Sequence, residues 1–168
     1  MKQFILALAL ALVCASASAQ YIKEDLKLEG GRRKITGTPC MIYHDGQPFM
    51  MNYKYLAKGE DKVMILEVVC GCQKTWWTVN EGATGLVKIL GGGLQSMTVT
   101  GFDFDMAKNI MTVTFAIYED LQKQTLGITE LLFRTSSGEP SAIKIPLDER
   151  SQEHLHKSYL EIMARAGL

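Results

Sequence analysis

No Gly-x-Ser-x-Gly elbow, His-Glu-x-x-His pair or Gly-x-x-x-x-Gly-Lys-Ser/Thr loop occurs in the 168 residues. Three common routes to catalysis or phosphate binding therefore lack their usual spacing. Charge of one sign is missing too, since eighteen Lys and Arg face eighteen Asp and Glu. Such a balance gives no field to hold nucleic acid by bulk attraction, so no nucleic-acid partner is expected. No apolar run approaches the roughly 20 residues of a membrane-spanning helix. Cysteine is scarce, with four in the chain, and a chain of this length can bury enough surface to fold without a disulfide scaffold.

The N-terminus carries the clearest signal. Lys2 precedes an apolar stretch over residues 4–13, and Ala17, Ser18 and Ala19 stand before Gln20. This order of basic start, short apolar core and small residues is that of a cleavable export signal. Residues 1–19 are read as that signal and residues 20–168 as one globular domain, secreted or periplasmic, with no stable membrane insertion after cleavage. Lipid attachment at Cys14 is disfavoured by Val13, where a small residue would be needed. After the signal, Arg32, Arg33 and Lys34 with Lys23 and Lys27 form a basic stretch interrupted by Glu24, Asp25 and Glu29. It reads as a solvated N-terminal segment.

Beyond it the pattern repeats every two residues. Met111, Val113, Phe115 and Ile117 alternate with Thr112, Thr114 and Ala116, which predicts a half-buried strand over residues 110–117. Residues 63–70 are apolar on both sides except at Glu67, as in a strand covered on two faces. Further strands are expected at 49–56, 74–79, 86–90, 96–102, 129–135 and 142–147. Asp45-Gly46 supplies the positive φ angles of a tight hairpin, and the other connections are too short for crossover helices. The terminal stretch 148–166 instead follows helical spacing through Leu155, Tyr159, Ile162, Met163 and Ala166, with Asp148 as cap and Gly167 as terminator. The expected fold is mainly β: an antiparallel β-sandwich or small barrel of about eight strands with one C-terminal amphipathic α-helix packed on it.

An exported chain can keep disulfides, so Cys40, Cys70 and Cys72 are disulfide candidates, with Cys40 joined to either Cys70 or Cys72 and one thiol left over. A Cys70–Cys72 ring is a lesser alternative. Cys40, His44, Cys70 and Cys72 would supply four zinc ligands, but their spacing matches no standard site. His154 and His156, two apart on a helix, point to opposite sides. Asp103 and Asp105 share a strand face opposite Phe102 and Phe104, and the calcium-loop pattern fails at Lys108 and Thr114. No cofactor, metal or catalytic residue is assigned.

Trp76 and Trp77 are consecutive on an extended segment, so their side chains face opposite ways. Trp77 shares its side with Val79 and belongs to the core. Trp76, on the side of Lys74 and Thr78, is either covered by the second sheet or the C-terminal helix, as large aromatics mostly are, or exposed as the candidate partner contact. The leading expectation is an exported, non-catalytic binding or interaction module for a protein or carbohydrate partner. The alternatives are a small barrel carrying an apolar molecule, and a small secreted hydrolase or thiol enzyme.

Overall fold

The computed structural model describes residues 21–71, 76–91, 93–117 and 127–168. The expected export signal, Cys72 and Lys74 lie outside them. The first six strands are β1 (Ile22–Leu28), β2 (Arg32–Gly37), β3 (Cys40–His44), β4 (Gln47–Lys58), β5 (Asp61–Gly71) and β6 (Trp77–Thr78). They are followed by β7 (Thr84–Ile89), β8 (Leu94–Asp105), β9 (Ile110–Ile117), β10 (Ile128–Arg134), β11 (Ser137–Gly138), β12 (Ala142–Pro146) and one helix, α1 (Glu149–Ala166).

Ten of the strands join in one antiparallel sheet of order β1-β2-β4-β5-β9-β8-β7-β10-β12, with β3 also on β4. The twelve-residue strand β4 serves two partners on one edge: β2 pairs with its second half from Lys54 to Lys58, and β3 with its first half from Gln47 to Met51. Asp45 (φ 51°) and Gly46 (φ 74°) make the β3–β4 turn, as the Asp-Gly pair predicts.

One face of this sheet is a continuous apolar core. Phe49, Met51, Tyr53 and Tyr55 of β4 lie beside Met64, Leu66, Val68 and Cys70 of β5, and these beside Met111, Val113, Phe115 and Ile117 of β9. The sheet curls over that core. Phe49 on β4 and Ile143 on β12, six places apart in the strand order, line one cavity, and α1 touches β1, β2, β3 and β4 as well as β10. The helix fills the gap between the two ends of the sheet, which does not close into a barrel. The sandwich-like half of the expectation describes the molecule and the barrel half does not.

The helix seats because of what its inner stripe meets. Leu155, Ser158, Tyr159 and Ile162 are buried. Tyr159 stacks edge-on to Tyr53 at 5.4 Å, a geometry preferred by aromatic quadrupoles. Gly37 has no side chain where Ser158 Oγ and Ile162 Cδ1 approach, so α1 lies directly on the β2 backbone. Asp148 caps α1 by accepting from the Ser151 N–H at 2.7 Å, and Gly167 ends it in the left-handed region.

The N-terminal basic stretch corrects the sequence reading. It is an edge hairpin, β1–β2, in which Lys27 pairs with Arg33 and Leu26 with Lys34. Arg33 donates to Asp25 at 2.9 Å, and Arg165 of α1 reaches the same carboxylate at 3.9 Å. The hydrogen bond from Arg33 holds the Asp25 carboxyl below its ordinary range. Charged residues are at home here, because an edge strand lined with charge resists pairing with another chain.

Candidate functional site

Trp76 stands on a short, tightly bonded platform. Its neighbour Trp77 is 1 % exposed, packed against Phe133 at 5.4 Å and Phe102 at 6.0 Å. The Trp77 backbone N–H points to the Met111 sulfur at 3.4 Å. With Trp77 anchored, period-two geometry turns Trp76 outward, where it is 57 % exposed.

The platform is the two-stranded pair β6–β11, in which Thr78 faces Ser137 and Trp77 faces Gly138. Ser136 N–H donates to the Thr78 carbonyl at 2.6 Å, and Glu139 N–H to the Trp76 carbonyl at 3.3 Å. The Thr78 and Ser137 hydroxyls meet at 2.6 Å, and Ser136 Oγ accepts from the Asn80 N–H at 2.8 Å. Gly138 adopts φ 85° and comes so close that an added Cβ would fall on the Trp76 carbonyl oxygen, 2.7 Å from Trp77 Cα. The backbone that displays Trp76 is therefore held by contacts only glycine permits. One residue beyond Glu139, Pro140 lines a cavity of about 240 Å³. His44, Asp45, Gln47 and Lys144 give that cavity a polar rim around Phe49 and Ile143.

The disulfide candidates do not all come together. Cys40 pairs across the sheet with Met51 and Cys70 with Phe49, so β4 runs between them. Two strand spacings of about 4.8 Å exceed the roughly 7 Å that a disulfide can span between Cα atoms. No bond joins Cys40 to Cys70, which removes one of the two expected pairings; Cys72 lies outside the described residues. Cys70 Sγ lies 3.6 Å from Gln47 Oε1.

His44 sits four residues along β3 from Cys40, about 13 Å at strand rise. It contacts Asp45 at 3.3 Å at the hairpin tip. Among the described residues no three His, Cys, Asp or Glu side chains gather as a metal site.

Cys40 and His154 do line one pocket of about 460 Å³ with Tyr21, Ser151 and Arg150. Burial pushes the Cys40 thiol up to about 11, the opposite of what a nucleophilic cysteine requires. The His154 ring is engaged with the Thr38 carbonyl, its Nε2 at 2.9 Å. This pocket thus holds a neutral thiol and a tethered imidazole. The acid pair is separated in role: Asp105 is held low by the Lys108 side chain and accepts from the Lys108 N–H, closing the β8–β9 turn, while Asp103 is exposed.

Sequence reasoning overlooked a basic groove at the far end of the β4–β5 hairpin. Leu28, Leu56, Ala57 and Val63 form its apolar floor, and it measures about 510 Å³. The signal was present in the separate basic pairs around residues 32–34, 58 and 62, but only the strand register brings them together. Comparison of the chain with protein families, with curated proteins and with solved structures finds no match.

Proposed function

We propose that this chain is an exported, non-catalytic binding module that holds a protein or carbohydrate partner through Trp76. One observation carries the reading: a large aromatic side chain, 57 % exposed, on a backbone fixed by hydrogen bonds and by the buried Trp77. A rigid aromatic that is already displayed loses little conformational entropy on binding, which is why tryptophan dominates interface anchors. The same flat indole face stacks on sugar rings, and the polar-rimmed cavity beyond Pro140 offers hydrogen-bonding groups nearby. The balanced charge of the chain suits recognition by shape and stacking over recognition by field.

The test uses the processed protein with a photo-crosslinking side chain at position 76, alongside a glycan array read with the parent and with Trp76→Ala. Stacking on an aromatic is worth several-fold to a hundredfold in affinity. The expected result is either a specific crosslinked protein or a glycan set whose binding falls at least tenfold in Trp76→Ala. Association left unchanged by that substitution would remove Trp76 as the contact.

A further inference from the structure

We propose that the groove at the end of the β4–β5 hairpin binds an amphiphile with one alkyl chain and one anionic headgroup, specifically a long-chain carboxylate. The floor is apolar: Leu56 and Val63 are cross-strand neighbours on the outer face of the sheet, and Leu28 of the edge strand is 43 % exposed beside them. A volume of about 510 Å³ lies within the range of small-ligand sites.

Five cationic residues, Arg32, Arg33, Lys34, Lys58 and Lys62, line the groove against one carboxylate, Asp61, which faces Lys58 across β4 and β5. Arg32 lies directly opposite Lys58 in the β2–β4 register, and Lys62 follows on β5. Like charges facing each other across strands repel. Neighbouring cations are partly compensated, Arg33 by Asp25 and Lys34 by Glu24. Arg32, Lys58 and Lys62 have no carboxylate within ion-pair distance among the described residues; Arg32 instead donates to the Glu29 carbonyl at 3.2 Å. An anionic headgroup would relieve this repulsion while its chain covers Leu28, Leu56 and Val63. Neither a neutral apolar ligand nor a small free anion would satisfy both halves of the groove.

Trp76 is not among the residues that line the groove, and the proposal does not rest on the role given to that residue. Its probe is dodecanoate below micelle-forming concentration, titrated calorimetrically into the processed protein, with dodecanol, acetate and anionic phospholipid vesicles as comparators. Saturable 1:1 binding of dodecanoate is expected, at least tenfold tighter than dodecanol, with no detectable binding of acetate. Lys58→Gln with Lys62→Gln should weaken dodecanoate at least tenfold, Leu28→Ser should weaken it several-fold, and Trp76→Ala should leave it unchanged. The double reversal Lys58→Glu with Lys62→Glu should turn the preference toward dodecylamine. The proposal is overturned by an absence of saturable dodecanoate binding, by equal affinity for dodecanol, by parental affinity in the Lys58/Lys62 double variant, or by a response to vesicles alone.

Discussion

Replacing Gly138 with alanine tests the display of Trp76 without touching either tryptophan. The residue sits at φ 85°, where a Cβ introduces strain of about 1–2 kcal/mol. That Cβ also collides with backbone at Trp76 and Trp77, which cannot swing aside as a side chain could. Relief requires β11 to part from β6, breaking the bonds from Ser136 N–H to Thr78 and from Glu139 N–H to Trp76. At roughly 0.5–1.5 kcal/mol each, these bring the expected loss to about 3 kcal/mol. For a chain of this size that corresponds to a melting temperature lower by roughly 6–12 °C. If the pair detaches locally the thermal effect shrinks, so the sharper assay is fluorescence. In a Trp76→Phe background Trp77 is the sole indole, 1 % exposed in the parent. Gly138→Ala should shift its emission to the red and raise acrylamide quenching severalfold. Gly93→Ala, where nothing lies within 4 Å of an added Cβ, should be silent in the same assay. A Gly138→Ala protein with parental melting temperature and a still-shielded Trp77 would refute the account of how the platform is held.

Two further outcomes follow from the titrating groups. With the Cys40 thiol pushed up to about 11 by burial, only about one molecule in a thousand carries the thiolate at pH 8. Peptide mapping should then find iodoacetamide labelling at Cys40 at least tenfold slower in the native protein than in urea, and equal rates would contradict the buried placement. Asp148→Ala should cost about 1 kcal/mol at pH 7 through the lost helix cap. Because the hydrogen bond from Ser151 lowers the folded-state value of Asp148 below 3.8, the cap's contribution is present above pH 4 and fades as pH falls through the lowered value. Denaturation curves of parent and variant should therefore converge in acid, and a gap of constant size down to pH 2 would count against the cap.

The strands that were legible are those with one buried face and one half-exposed face. The predicted 110–117 strand coincides with β9, because Met111, Val113, Phe115 and Ile117 all enter the core. Residues 63–70 fall within β5. Its outer face is less enclosed than two apolar sides suggested, since Val63, Ile65 and Val69 are half-buried and Glu67 is ion-paired with Lys54. The terminal helix was legible for a different reason: stripe, cap and terminator agree over 18 residues. The hairpin β1–β2 was not. Its Lys23, Glu24, Asp25 and Lys27 carry the composition of a solvated segment, and only the pairing with β4 shows the strand. Strand β3 was passed over because it is short, five residues ending at the Asp-Gly turn.

The same mixture governs the site. Opposite facing of Trp76 and Trp77 follows from their being adjacent and extended, with no knowledge of the fold. The basic groove does not, because Arg32 and Lys58 are 26 positions apart and become neighbours only through a particular register. Cys40 and Cys70 look joinable as letters, yet the chain between them turns back and inserts a strand.

Ser158 of the helix donates its hydroxyl proton to the Tyr21 carbonyl at 3.0 Å, and Lys157 lies over the Tyr21 ring. The residue that leads into the first strand is thus fastened by residues 136 and 137 positions later. In a polypeptide made from its amino end, β1 can pair with the neighbouring β2 early, whereas these contacts of Tyr21 wait until the last turns have been synthesised. The order of manufacture and the order in which this fastening forms are opposed in this molecule.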